Sequence, residues 1–193
     1  MQLFLIRHPR PLLREGLCYG QLDVDAEDPL PIAERLGTLL PADIPVVASP
    51  SRRARGLAEA LHRQPTFDRR LLEIHFGDWE GVAWKDIDRQ LLDAWAADPL
   101  HFVAPGGESA AVLQARALDC VSSLGGDRVA LVTHAGVIRA LLGHWLRLPI
   151  DEWSLLPLAF GSVTLLEIEA DAAQRGPRKE QRAGAGVLHY CNR

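Results

Sequence analysis

Three short apolar runs, each ending at a polar tip, constrain the fold of this chain most strongly. They cover residues 3–6, 44–48 and 129–133, and no charged residue interrupts them. An apolar run this short, without alternating polar positions, predicts a strand that is buried on both faces of a sheet. After the second and third runs the sequence becomes helix-forming, near Arg52 and after Gly136. Each of these two regions therefore predicts a strand followed directly by a helix.

The rest of the chain supplies further elements of both types. Apolar residues at helical spacing predict helices over residues 84–97 and 110–124, whereas residues 162–168 and 187–190 are predicted to be strands. Strands that alternate with helices predict an α/β layered fold with a largely parallel sheet, whose ligand site lies at the carboxyl ends of the strands. The polar stretch of residues 171–186, rich in Arg and Gly, is expected to form a mobile loop.

Length and charge limit the classes of function. A chain of 193 residues with 48% hydrophobic content is expected to form one domain over residues 1–193. The 21 basic and 25 acidic residues give a net charge of −4, which supplies no general attraction to nucleic acid or to an anionic membrane. The apolar run before Arg7 is too short for a signal peptide or a membrane span, so we expect a cytoplasmic location. The sequence carries no signal for an oligomeric state.

The three cysteines, Cys18, Cys120 and Cys191, do not form a metal-ligand pattern. They are scattered along the chain without a C-x-x-C pair, and they do not indicate a disulfide framework either. We therefore expect reduced thiols, and neither a bound metal nor another cofactor.

Arg7 and His8 stand where the first predicted strand ends, which is a rigid position for a nucleophile that points into a crevice. An imidazole is mostly neutral near physiological pH and can attack phosphorus, so the covalent step needs no metal. A phosphoryl transition state spreads negative charge over its oxygen atoms, and planar guanidinium groups match that geometry. Arg7 and Arg53 are the candidates for this task, and position alone leaves Arg52 and Arg55 open as alternatives to Arg53.

Two further polar residues complete a candidate catalytic site. His134 follows the third predicted strand and is expected beside His8 if the two strands are neighbours in the sheet. A leaving alkoxide needs a proton, which Glu73 can supply before it deprotonates the attacking water. Asp78 and Glu80 lie in the same segment and compete with Glu73 for this role.

Four residues are candidates for contacts with the substrate, namely Tyr19, Gly20, His75 and Glu108. A structural role fits His75 equally well because Phe76 follows it. The chemistry of the catalytic candidates indicates that the partner is a phosphorylated small molecule.

Five ordered sequence blocks resemble the histidine phosphatase superfamily. The resemblance spans roughly residues 2–168, and five blocks in order are far more specific than one motif. The blocks are Leu5–His8, Ser49–Ala54, Leu72–Gly81, Pro105–Ser109 and Val132–Arg139. The resemblance implies a three-layer α/β sandwich of the phosphoglycerate mutase type, in which helices flank a mostly parallel central sheet.

The resemblance also implies a role for each catalytic candidate. By position, His8 corresponds to the phosphorylated nucleophile and Glu73 to the proton donor. Arg7, Arg53 and His134 correspond to the groups around the phosphate, which selects Arg53 from the neighbouring arginines.

Residues 18–24 and 76–81 look most like α-ribazole phosphatases of cobalamin biosynthesis. The resemblance therefore favours hydrolysis of α-ribazole phosphate through a phosphohistidine. A broad small-molecule phosphatase, a phosphoglycerate mutase-type isomerase and a non-catalytic phospholigand-binding protein stay open. The short segment 82–104 favours hydrolysis, because the mutases usually carry a longer insertion there.

Pro9 stands where the family usually has Gly and motivates the non-catalytic alternative, since it lacks a backbone N–H that can face phosphate.

Overall fold

A computed structural model describes residues 1–169 and 186–193 of the chain. Within these ranges, six strands form one mixed sheet. In chain order they are β1 (Gln2–Arg7), β2 (Val46–Ala48), β3 (Thr66–Phe67), β4 (Arg128–Thr133), β5 (Val163–Ile168) and β6 (Gly186–Tyr190). The segment 171–186, which the sequence predicts to be a mobile loop, lies outside the described residues except for Gly186, where β6 begins.

The order of strands across the sheet is β3-β2-β4-β1-β5-β6. β1 and β4 are parallel neighbours, with Arg7 opposite Thr133, and β2 is parallel to β4 on its other side. β5 pairs antiparallel with β1, and β6 pairs antiparallel with β5. The prediction of a largely parallel sheet is confirmed. The residues that follow β1, β2 and β4 therefore emerge at the same edge of the sheet.

Helices cover both faces of this sheet. They are α1 (Leu30–Gly37), α2 (Arg52–Leu61), α3 (Arg89–Ala97), α4 (Ala110–Ser122), α5 (Ala135–Leu146) and α6 (Ile150–Trp153). Alternate residues of β1 enter two cores, because successive strand side chains point to opposite faces. Leu3 and Leu5 pack with residues of α4 and α5, whereas Phe4 and Ile6 pack with residues of α1 and α2. The expected three-layer α/β sandwich is thus confirmed.

No helix in these described ranges is long and apolar enough to cross a membrane. The segment 84–97 differs from the single helix that its apolar spacing predicts. A 3-10 turn covers Trp84–Asp86, and α3 begins only at Arg89. The Asp88 side chain accepts a hydrogen bond from the Gln90 N–H and caps α3, because a carboxylate satisfies an otherwise unpaired amide of the first turn.

A third, smaller apolar cluster is formed mainly by residues that lie between α2 and α4 in the chain. Its aromatic members pack in stacked and edge-to-face contacts and are Phe76, Trp79, Trp84, Trp95 and Phe102. Trp79 is buried in this cluster. The aromatic residues of this region therefore pack into a separate cluster that joins residues 76–84 to α3 and Phe102.

Candidate active site

Two histidine rings lie together at the carboxyl ends of β1 and β4. His8 directly follows β1 and His134 directly follows β4, and their ring centroids are 5.0 Å apart. His8 is 1% exposed and His134 is 0% exposed. The pairing of Arg7 with Thr133 explains this approach, because parallel strands in that register end side by side.

Hydrogen bonding leaves one nitrogen of His8 available for attack. Its Nδ1 lies 2.6 Å from the carbonyl oxygen of Pro9. Because a carbonyl only accepts, the neutral ring carries its proton on Nδ1 and keeps a lone pair on Nε2. Burial, and secondarily the charge of Arg53, lowers the pKa of His8 to about 3, so the ring is neutral at physiological pH. Pro9 lacks an N–H, but its carbonyl orients the ring of His8.

Hydroxyl groups hold His134. Its Nε2 lies 2.8 Å from Oγ of Ser49 and 3.4 Å from Oγ of Ser51. Its Nδ1 is buried and makes no hydrogen bond with any part of the chain that the structure describes. Burial, followed by the neighbouring His8 and Arg53, keeps the pKa of His134 well below its ordinary value. Ser51 precedes α2 as predicted, but its hydroxyl lies against His134 instead of capping the helix.

Two guanidinium groups border the histidines. Arg53, in the first turn of α2, is 1% exposed and donates to the backbone carbonyls of Gly20 and Leu22. Arg7 donates to the carbonyl of Leu158 and stacks on Phe160, with its Cζ atom 3.7 Å from the ring centroid. The Nε atoms of both arginines are buried without a hydrogen-bond partner in the described residues. Both side chains are already ordered, so they can bind an anion without first losing conformational freedom.

Glu73 lies at the amino end of α5. Its Oε2 accepts a hydrogen bond from the N–H of Gly136 at 3.1 Å, and its Oε1 accepts one from the N–H of Ile74 at 3.0 Å. A Cβ atom on Gly136 would overlap Oε1 of Glu73, so the absence of a side chain permits this approach. Burial lowers the pKa of Arg7 and of Arg53, and the nearby carboxylate of Glu73 is among the charges that oppose this effect. Glu73 therefore shares the site with both guanidinium groups.

An ion pair holds the segment that carries Glu73. Arg116 of α4 pairs with Glu108 at 2.6 Å, and their side chains are 18% and 14% exposed. Arg116 also donates to the backbone carbonyls of residues 70, 72 and 73. Glu108 accepts a hydrogen bond from the backbone N–H of His75. These contacts give Glu108 a structural partner, and its contact with substrate stays a prediction.

Tyr19 and Gly20 border the phosphate-binding candidate Arg53. The Cζ atom of Arg53 is 5.4 Å from the ring centroid of Tyr19, and the carbonyl of Gly20 accepts a hydrogen bond from it. A Cβ atom on Gly20 would overlap the carbonyl oxygen of Ile74. Glycine is therefore required where the two loops touch, while substrate contacts of Tyr19, Gly20 and His75 stay predictions.

Sequence reasoning missed three side chains that touch the proposed catalytic residues or their loop, namely Ser49, Arg116 and Phe160. Ser49 directly follows β2 and lies in one of the five blocks, so a signal was present for it. Arg116 and Phe160 carried no comparable signal. In the described part of the chain, no group of three or more Cys, His, Asp or Glu side chains is arranged to hold a metal ion.

Comparison with known proteins places this geometry in a family. The sequence matches the histidine phosphatase superfamily (branch 1) over residues 3–175. It is 35% identical to a glucosyl-3-phosphoglycerate phosphatase from Mycolicibacterium vanbaalenii over 178 residues, which covers 80% of this chain and 78% of the relative. An adenosylcobalamin/alpha-ribazole phosphatase from Salmonella typhimurium is 27% identical, with 91% of this chain and 99% of that relative covered.

A solved structure agrees with these matches. The native structure of a mycobacterial glucosyl-3-phosphoglycerate phosphatase resembles this one with a TM-score of 0.81 at 27% identity, and the match covers 99% of this chain and 98% of that chain. The resemblance drawn from the five sequence blocks is therefore confirmed at the level of the family. The chain belongs to the histidine phosphatase superfamily (branch 1) and is a phosphatase of that family.

Proposed function

We propose that this phosphatase hydrolyses phosphomonoesters through a phosphohistidine on His8. The observation that carries the proposal is the placement of His8 beside His134, with 5.0 Å between ring centroids and the charges of Arg7 and Arg53 close by. Nε2 of a neutral imidazole is a nucleophile, and the surrounding cations and the amino end of α5 favour an anion. The arrangement supports attack on a phosphoryl group.

In the first step, Nε2 of His8 attacks phosphorus, and a P–N bond forms as the bond from phosphorus to the alcohol oxygen breaks. Arg7, Arg53 and His134 hold the non-bridging oxygen atoms and stabilise the charge of the transition state. Glu73, in its protonated form, donates a proton to the departing alkoxide. The products of this step are the free alcohol and phosphorylated His8.

In the second step, a water molecule attacks the phosphorus of phosphorylated His8. Glu73, now a carboxylate, accepts the proton of that water as the P–N bond breaks. Inorganic phosphate leaves, and His8 returns to its neutral form. Glu73 ends the cycle protonated, as it began, because it takes from water a proton to replace the one that it gave to the alcohol.

For the alcohol part of the substrate we propose two candidates. Glucosyl-3-phosphoglycerate stands first, because the Mycolicibacterium relative is the more similar of the two. α-Ribazole phosphate, which residues 18–24 and 76–81 favour, stands second and is supported by the Salmonella relative. Cobalamin biosynthesis is therefore a secondary assignment for this chain.

The proposal is tested by measuring the release of inorganic phosphate in the presence of a metal chelator. The substrates are both candidates and 4-nitrophenyl phosphate. We expect the wild type to turn over all three and to prefer one of the two natural candidates, whereas His8→Ala is inactive. His144→Ala, which alters a histidine of α5 outside the site, should retain turnover. Equal activity of His8→Ala and the wild type would remove His8 as the nucleophile. Transfer of the phosphoryl group to a sugar acid, without phosphate release, would indicate a mutase instead.

A further inference from the structure

The hydroxyl of Ser49 lies 2.8 Å from Nε2 of His134, closer than the hydroxyl of Ser51 at 3.4 Å. Ala48 of β2 pairs with Val132 of β4, so residues 49 and 134 emerge on adjacent parallel strands. Ser49 is 0% exposed. The serine is therefore fixed by the sheet itself against a buried imidazole.

The neighbours of the Ser49 oxygen limit the directions in which its hydroxyl proton can point. The backbone N–H of Ser51 donates to Oγ of Ser49 at 3.4 Å. The acceptors left for the hydroxyl proton are Nε2 of His134 at 2.8 Å and Oγ of Ser51 at 3.3 Å. The closer acceptor gives the stronger hydrogen bond, and we therefore assign the Ser49 hydroxyl proton to Nε2 of His134.

A neutral imidazole carries one proton on its two nitrogens. His134 is neutral because burial keeps its pKa low. If Nε2 accepts from Ser49, the proton is on Nδ1, the buried nitrogen that has no other partner among the described residues. A deprotonated phosphoryl oxygen only accepts hydrogen bonds, so one that binds at Nδ1 requires this form of the ring.

We propose that Ser49 is a positioning residue for the phosphatase reaction, because its hydroxyl holds His134 in the form that presents Nδ1–H to a phosphoryl oxygen. This inference rests on the proposed function, which gives His134 the task of binding that oxygen. Without the hydroxyl, His134 can place its proton on Nε2 and turn a lone pair toward the anion. Ser49 thus acts through His134 and does not touch the substrate.

Ser49→Ala, compared with Ser162→Ala, tests this inference. Ser162 is buried to a similar degree, and its hydroxyl makes no hydrogen bond within the described residues, which makes it a matched control. With 4-nitrophenyl phosphate, Ser49→Ala should lower kcat/KM about 10-fold, the effect of one lost hydrogen bond, and should weaken competitive inhibition by inorganic phosphate to a similar degree. Ser162→Ala should match the wild type in both measurements.

Nitrogen-15 NMR of the imidazoles supplies a second measurement, which is informative for the wild type alone and again for Ser49→Ala. With vanadate bound, we expect the proton of His134 on Nδ1, and we expect part of it to move to Nε2 in Ser49→Ala. A wild-type His134 protonated on Nε2, or a Ser49→Ala variant with unchanged kcat/KM and phosphate inhibition, would overturn the inference. If His8→Ala is inactive in the same assay, either of these results overturns only the role of Ser49. If His8→Ala is active, the proposed function is overturned as well.

Discussion

At the scale of single residues, the two buried histidines have opposite hydrogen-bond arrangements. His8 donates from Nδ1 to the carbonyl of Pro9, whereas Nε2 of His134 lies against the hydroxyl of Ser49. Each ring carries a single proton in its neutral form, so its fixed partner decides which nitrogen meets the substrate. This difference is consistent with the roles that we propose, His8 as the nucleophile and His134 as a hydrogen-bond donor.

The role proposed for Glu73 leads to a prediction about single turnovers. Glu73→Gln keeps the shape of the side chain but cannot exchange a proton, so kcat for an alkyl phosphate should fall about 100-fold. With 4-nitrophenyl phosphate, whose leaving group needs little protonation, stopped-flow absorbance should show a rapid first turnover followed by slow hydrolysis of the phosphohistidine. Asp78→Asn, at an exposed carboxyl of the same segment, should behave as the wild type. An undiminished kcat of Glu73→Gln on the alkyl phosphate would exclude Glu73 as the acid.

The residues that could be predicted from the sequence are those that follow apolar strands. Arg7 ends β1, whereas His8 and His134 come directly after β1 and β4, and the carboxyl ends of parallel strands meet at one edge. Arg116 and Phe160 were not predictable in this way. A helix arginine or a loop phenylalanine usually has no function that its sequence reveals, and their contacts with the site depend on how distant segments pack.

At the scale of secondary-structure elements, the amino end of α5 is shaped to receive a carboxylate. Gly136 and Gly143 both lie in α5, but a Cβ atom would meet different neighbours at the two positions. At Gly136 it would overlap the end of the Glu73 side chain, which can move. At Gly143 it would overlap the ring of Trp153, which is buried.

This difference predicts opposite effects for two similar substitutions. Gly136→Ala should displace Glu73 and lower kcat about 10-fold, while the free energy of unfolding stays constant or rises by up to about 1 kcal/mol, since alanine favours helix. Gly143→Ala should lower the free energy of unfolding by about 1–3 kcal/mol through overpacking against Trp153. It should leave kcat unchanged. Urea unfolding and steady-state kinetics check both variants. A stable Gly136→Ala enzyme with full activity would contradict the placement of Glu73.

The elements that the sequence did not predict are mostly short. β3 has 2 residues and α6 has 4 residues, and a hydrophobic period cannot be recognised over such lengths. α1 has 8 residues, and its N-cap residue is Pro29, which has no side-chain acceptor; the N–H of Leu30 is bound by Asp28, one residue before the usual cap position. The longer predicted elements, such as α4 and β4, were recognisable because their apolar pattern extends over several turns or a whole buried strand.

At the scale of the whole molecule, the buried site makes the stability of the fold depend on pH. The pKa of His8 is lowered to about 3 by burial and then by Arg53, whereas an unfolded histidine titrates near pH 6.5. Below about pH 6.5 the unfolded chain therefore binds a proton that the folded chain excludes. The contribution of neutral His8 to the free energy of unfolding is therefore complete above about pH 6.5. It is lost progressively as the pH falls toward about 3, the pKa of His8 in the folded chain.

Urea unfolding between pH 8 and pH 5 measures this effect. His8 should lower the free energy of unfolding by about 2 kcal/mol between pH 6.5 and pH 5, and His134, whose pKa is lowered in the same direction, should add to the loss. In His8→Asn the free energy of unfolding should depend less steeply on pH below about pH 6.5, by the slope that corresponds to about one bound proton. The same slope in His8→Asn and the wild type would show that His8 is not held neutral by the fold.

The most direct test of the central claim is to trap the phosphoryl group on the protein. Chelator-treated enzyme is mixed rapidly with 4-nitrophenyl phosphate and quenched in alkali, in which phosphohistidine survives, and the modified residue is identified by peptide mass spectrometry. The account predicts a phosphoryl group on His8 that forms within the first turnover and decays at the rate of phosphate release, and none in His8→Ala. Turnover of the wild type without phosphorylated His8, or with the phosphoryl group on another residue, would contradict it.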